Sequence, residues 1–257
     1  MGGRGSSLAF KHMQSNDNGP QIVTNWEDPE TLLQNEMFKK LKNQNISTRQ
    51  STDDIDDKIF ERQQKQVLEI AQKYKKVLQN TTRNEDIQLG GEKISGTTLG
   101  YCSLRYENGE LRQRIVLDKQ LYSNYDKIKR TVDSAIRNRQ FVPINQMFKS
   151  RDYIVTHEMG HAVENGIVAK IVKERNINMQ VGLLRSINNL QAEIKNEVLK
   201  IYQKDFAKDI QFDKIFLSRY SRTNDAEWFA ETFTNLQLSD KPEPIALALQ
   251  KYLRRYE

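Results

Sequence analysis

The stretch that most constrains this chain is Thr156-His157-Glu158-Met159-Gly160-His161-Ala162, which contains H-E-x-x-H. On an α-helix each residue advances about 100° around the axis, so His157, Glu158 and His161 fall within an arc of roughly 100°. Two imidazoles and one carboxylate then point into the same space. A zinc hydrolase needs that arrangement: two neutral nitrogen ligands one turn apart, and a carboxylate beside them to take a proton from water. Histidine is scarce here, with three in 257 residues, and two of the three make the motif.

Two histidines leave a zinc ion short of protein ligands, since catalytic sites usually supply three and keep a position for water. In H-E-x-x-H-x-x-G-x-x-H proteins the third is another histidine, but those positions here hold Glu164 and Ile167, which excludes that class. His12 sits in a polar leader and is a poor candidate. A carboxylate from a later helix remains, and Asn224-Asp-Ala-Glu227-Trp-Phe-Ala-Glu231-Thr-Phe233 offers Glu227 and Glu231, one turn apart. On a helix Glu227, Ala230, Glu231 and Thr234 share a face, while Phe229 and Phe233 point toward a core. Asn224 with Glu227 three residues on also reads as a helix N-cap followed by its N3 glutamate, a competing role for the same side chain.

The run Tyr220-Ser-Arg-Thr-Asn-Asp-Ala-Glu-Trp-Phe-Ala-Glu-Thr-Phe233 resembles a segment of the anthrax lethal factor-like zinc peptidases, with its Tyr-x-Arg-Thr-Asn-x-Ala-Glu-x-Phe-Ala-Glu-x-Phe pattern. Together with His157-Glu-x-Gly-His161 the resemblance covers roughly residues 150 to 235. It implies a gluzincin catalytic domain in which His157, His161 and Glu227 bind Zn2+, Glu158 is the general base and Tyr220 assists at the oxyanion. Glu231 would orient a ligand histidine through its free N–H. The 65 residues between His161 and Glu227 (162–226) exceed what that family leads one to expect, so its substrate preference is not carried over. Tyr220 has an independent argument as well. An oxyanion needs a donor besides the metal, commonly histidine, tyrosine or arginine, and no histidine is spare outside the leader. Arg219 and Arg222 are the alternatives.

Along the rest of the chain, residues 1–50 read as a flexible low-complexity tail, with too little apolar surface to offset the entropy of ordering. Within it Gly2 and Ser6 fit an N-myristoylation pattern, and a short helix is expected over Pro29 to Lys42. A domain is expected over 51–257. Its first helix, capped at Ser51 or Thr52, carries Ile55, Ile59, Val67, Ala71, Tyr74 and Leu78 as an apolar stripe, with acids at its start and lysines at its end. Thr98–Tyr106 and Leu111–Leu117 are β-prone runs around Asn108-Gly109, the strongest short hairpin signal. One arm could pair with an extended substrate, as edge strands do beside the active-site helix of many zinc peptidases, or be plain structure. A helix over Asn124–Arg139 follows. The motif helix is expected to be capped near Ser150, with Asp152 in its first turn, and to stop at Asn165-Gly166. Residues 167 to about 208 read as a charged packing helix, and a terminal helix follows Pro242 and Pro244. The expected class is α+β and mostly helical: a zincin-like domain with a small antiparallel hairpin or sheet and a disordered tail.

Composition narrows the remaining classes. No run of about 20 apolar residues exists, so no membrane span is expected, and no apolar h-region marks a secretory signal. Synthesis in the cytoplasm is the starting expectation, with delivery in a phage particle or by non-Sec export as alternatives. The tail's composition is similar to that of small phage and mobile-element proteins. Cys102 is the single cysteine, which rules out an intrachain disulfide and reads as a small apolar residue in a strand. The net charge of +6 is spread among acids along helices, so no specific nucleic-acid partner is expected. The expected partner is a protein or peptide substrate. A non-catalytic structural or interaction protein with a retained zinc site is the rival class, but such a protein would be free to lose Glu158 and Tyr220, and both are present.

Overall fold

A computed structural model describes residues 46–48, 57–81, 87–94, 96–107, 110–144, 147–177, 183–207 and 209–256. The tail up to residue 45, the helix expected over Pro29–Lys42, the Gly2 signal, His12, the Ser51/Thr52 cap and the Asn108-Gly109 turn lie outside these residues, whereas Ile46–Thr48, read as part of the tail, form a strand paired with Ile87–Leu89. The elements in order are β1 (Ile46–Thr48), α1 (Asp57–Lys73), α2 (Lys75–Leu78), β2 (Ile87–Glu92), β3 (Gly100–Glu107), β4 (Glu110–Asp118), α3 (Lys119–Tyr122) and α4 (Tyr125–Arg137). A 3-10 turn (Met147–Asp152) then leads into α5 (Tyr153–Glu174), followed by α6 (Leu183–Asp205), α7 (Phe212–Ile215), a second 3-10 turn (Tyr220–Arg222), α8 (Asp225–Leu238) and α9 (Pro244–Leu253).

The class is mostly helical with one small sheet, as expected, but the sheet is mixed rather than antiparallel. Its order is β1-β2-β4-β3. β3 and β4 form the expected hairpin, Glu107 opposite Glu110, whereas β2 runs parallel to β4 and β1 parallel to β2. The strand that makes the difference is Ile-Gln-Leu-Gly-Gly-Glu, six residues with two glycines. Glycine weakens a strand's own signal, so only its pairing on both sides reveals it.

α5 is the centre of the molecule. Every residue from Tyr153 to Ala169 is buried, which is the pattern of a helix enclosed on all sides. The sheet packs on it through β3 and β4, whose Cys102, Ile115 and Leu117 join the core, and α1, α2 and α8 pack on it as well. Enclosure also explains why the expected stop at Asn165-Gly166 is wrong and the helix runs on to Glu174. Asn165 does not cap; its amide donates to Gln113 Oε1 on β4 at 3.3 Å. Gly166 is where α2 crosses: a Cβ there would stand 2.6 Å from the Val77 carbonyl oxygen. Gly160 serves α8 in the same way, since its Cβ would stand 2.9 Å from Ala230 Cα.

The start of α5 differs from expectation too. The 3-10 turn runs straight into the helix, and Asp152 makes no side-chain cap. Its carboxylate instead forms a bidentate pair with Arg62 of α1, 2.6 Å on both arms, a geometry that fixes orientation as well as charge. α4 begins as read, with Asn124 Oδ1 accepting the Asp126 and Lys127 amides. The expected long helix after 167 is two helices: α5 ends at Glu174 and α6 begins at Leu183. Ile187, Leu190, Ile194, Val198 and Tyr202 are buried, and α6 packs chiefly on α9. Among the described residues no helix is long and apolar enough to cross a membrane.

Candidate metal centre

The close passage of α8 over Gly160 brings Glu227 to the motif. Glu227 Oε2 lies 3.0 Å from His157 Nε2 and 3.3 Å from His161 Nε2, and all three side chains are buried. Ligands held about 2.0–2.2 Å from a tetrahedral ion stand roughly 3.3–3.5 Å apart. The 3.0 Å contact is a hydrogen bond, shorter than that spacing, and the three ligand atoms, all within 4.8 Å of one another, form a group that could hold a metal ion. Asn224 also caps α8, accepting the Glu227 N–H at 2.9 Å. The two readings of Glu227 therefore coexist: its backbone is capped while its carboxylate faces the histidines.

Glu158 lies against β3, where the Cys102 backbone N–H donates to its carboxylate. Its Oε2 is buried without a hydrogen-bond partner among the described residues. Burial raises the Glu158 pKa above the ordinary carboxylate value; the His157 and His161 charges oppose that rise, and Glu227 adds to it. A buried carboxylate with one open oxygen and an elevated proton affinity has the properties of a general base.

Tyr220 sits in the 3-10 turn before α8, its ring centroid 5.6 Å from that of His157. Phe141 packs against it on one side and stacks on Tyr153 on the other. Arg222 turns away to pair with exposed Asp213 at 3.2 Å, and Arg219 is exposed.

Glu231 reaches the opposite side of the His157 ring. Its Oε1 accepts from His157 Nδ1 at 3.0 Å and from the Tyr153 hydroxyl at 2.8 Å. Its Oε2 accepts from the Val142 N–H at 2.8 Å and from the Ser218 hydroxyl at 2.6 Å. Four donors on one buried carboxylate leave it no capacity for a metal, and an acceptor at Nδ1 keeps a proton there, so that Nε2, 3.0 Å from Glu227, is the nitrogen that a metal would take. Tyr153, Ser218 and the Val142 amide are not singled out by sequence reading. Tyr153 carried a signal, because it lies one turn before His157 on the same helix face. Ser218 and Val142 carried none.

Comparison with protein-family models, curated protein sequences and solved structures finds no match for this chain. The site is therefore read from its chemistry. A surface groove of about 500 Å³ between α1 and the end of α8, lined by Arg62, Lys65, Lys73 and Lys149 among others, shares no residue with the cluster.

Without metal, the cluster holds a proton. Burial by itself would lower the His157 pKa, but Glu227 and Glu231 on its two nitrogens outweigh it and hold the imidazolium well above its ordinary value. Burial would raise Glu227, and the two histidines overcome that to lower it. The raised histidine contributes stability that is full below 6.5 and lost as pH rises through its folded value. The lowered carboxylate contributes above 4.5 and fails as pH falls through its folded value. A divalent ion must displace the His157 proton, so its apparent affinity should climb about tenfold per pH unit until His157 is neutral, then level off. Competition titrations against a chelator between about pH 6 and pH 9 measure this, and a flat profile across that range contradicts a protonated His157.

Proposed function

We propose that the chain is a zinc-dependent metalloendopeptidase of the lethal factor-like gluzincin kind, built on a zincin-like arrangement of α5 beneath the sheet. The observation that carries the reading is the meeting of His157 and His161 with Glu227, which lies on a different helix. That group is flanked by a buried carboxylate with an open oxygen and by a tyrosine ring.

His157, His161 and Glu227 would hold the zinc. A bound zinc ion supplies Lewis acidity and acidifies water. Glu158 takes the proton of the attacking water and later gives it to the leaving amine, steadied meanwhile by the Cys102 N–H. The Tyr220 phenol donates to the carbonyl oxygen as it becomes an oxyanion. Glu231 holds His157 in the tautomer that leaves Nε2 free for the metal. β3 pairs with β4 on one side only among the described residues, and it touches α5 beside Glu158. An extended peptide adding to its other edge would lie along the site, in the manner of strand addition.

The test is metal analysis of the wild type and Glu227→Ala together with an unbiased peptide-library cleavage assay. One zinc per wild-type chain, at least about a hundredfold weaker zinc binding in Glu227→Ala, and products from the wild type alone are the expected results. Zinc retained by the variant removes Glu227 from the ligand set. A zinc-loaded wild type that cleaves no peptide removes the peptidase reading and leaves a zinc-holding protein without catalysis.

A further inference from the structure

The Glu231 carboxylate touches more than the histidine it orients. Ser218, 3% exposed, gives its only hydroxyl proton to Glu231 Oε2 at 2.6 Å, within the range of charge-assisted O–H···O⁻ bonds. The Ser218 oxygen then accepts the Ser221 N–H at 3.0 Å, while the Ser221 hydroxyl donates to the Ser218 carbonyl at 2.8 Å. These bonds close a small ring of backbone around Arg219 and Tyr220. The same turn is pinned on its other side, where the Tyr220 N–H donates to the Gln140 carbonyl at 3.1 Å and the Arg219 N–H to the Arg139 carbonyl at 2.8 Å. Two residues beyond Gln140, the Val142 N–H returns to Glu231. Both strands that hold Tyr220 thus end on one buried anion.

We infer that Ser218 is a positioning residue that ties the turn carrying Tyr220 to Glu231, so that a single carboxylate sets both the His157 tautomer and the place of the Tyr220 phenol. The inference rests on the reading of Tyr220 as the oxyanion donor. A hydroxyl that only stabilised the fold would lower stability when removed and would act independently of Tyr220. A hydroxyl that places the phenol has nothing left to do once the phenol is gone.

The experiment is a double-mutant cycle on the zinc-loaded full chain: wild type, Ser218→Ala, Tyr220→Phe and the pair, with kcat, KM and zinc content measured for each. Ser218→Ala should lower kcat roughly tenfold, with KM within about twofold and zinc retained. In the Tyr220→Phe background the same substitution should change kcat by less than about twofold. Ser218→Thr, which keeps the hydroxyl, should recover most of the loss. An undiminished kcat in Ser218→Ala, or a full additional loss on top of Tyr220→Phe, overturns the inference.

A second arm needs no turnover. Amide hydrogen exchange at Ser221, whose acceptor is the Ser218 hydroxyl oxygen, should quicken at least about tenfold in Ser218→Ala and also in Glu231→Gln. Unchanged exchange at Ser221 in either variant overturns the link. If the wild type binds zinc but cleaves nothing, the peptidase reading falls by itself, and the exchange arm still decides whether Ser218 joins Glu231 to this turn.

Discussion

Glu158→Gln should bind a metal as the wild type does and lose peptide hydrolysis by about 10²–10⁴-fold, the range that general-base catalysis ordinarily contributes. The substitution is chosen for shape. The carbonyl oxygen of the introduced amide can still accept the Cys102 N–H that Glu158 accepts, and the amide nitrogen takes the place of Oε2, which has no partner to lose among the described residues. None of the three candidate ligands is touched. Stability should move the other way from activity. A carboxyl whose folded pKa is raised above 4.5 keeps its proton more tightly in the fold, so it costs stability increasingly as pH climbs from that value through the folded one. The amide mimics the protonated carboxyl at every pH. In metal-free protein Glu158→Gln should therefore equal the wild type in acid and be the more stable of the two at neutral pH. Chemical denaturation at both pH values, with metal content and peptide turnover on the same preparations, provides the check. Undiminished turnover in a folded, metal-loaded variant would remove Glu158 from the mechanism.

What the sequence discloses about this site follows from how chemistry constrains spacing. His157, Glu158 and His161 are legible because a helix puts them on one face whatever surrounds it. Glu227 and Glu231 are legible because one turn separates them on a later apolar-backed helix, and small Ala230 between them suits the close crossing found at Gly160. What the sequence hides is pairing over distance. Asn165-Gly166 reads as a helix end because local rules assign Asn and Gly to ends. Their actual work is a side-chain bond to β4 and clearance for α2, neither of which leaves a local mark. β2 hides for the same reason, since its two glycines argue against a strand until its parallel partners on both sides are known. Ser218 and Val142 belong to stretches without periodicity, and only the folded chain carries them to Glu231.

Glu231→Ala should cost about 3–5 kcal/mol of folding stability, the largest loss expected from any single site residue. The side chain is completely buried, and it accepts from His157, Tyr153, Ser218 and the Val142 amide. Truncation leaves those donors in a space too apolar to hydrate them freely, and each unpaired buried donor costs roughly 1–3 kcal/mol before relaxation. Relaxation recovers part of it: the Val142 N–H also donates to the Tyr153 hydroxyl at 2.8 Å, and both hydroxyls can rotate. The remaining loss falls on His157, whose Nδ1 proton has lost its acceptor, and on the two backbone strands around Tyr220. Glu231→Gln separates charge from shape, because its amide keeps one acceptor while setting a second donor against donors already there. It should be destabilised less than Glu231→Ala and still bind zinc about 10- to 100-fold more weakly than the wild type, since His157 is no longer held in one tautomer. Denaturant midpoints and chelator competition on both variants measure the two effects. A wild-type midpoint for Glu231→Ala would show that the four contacts carry no net stability, and wild-type zinc affinity for Glu231→Gln would show that the orientation of His157 does not depend on this carboxylate's charge.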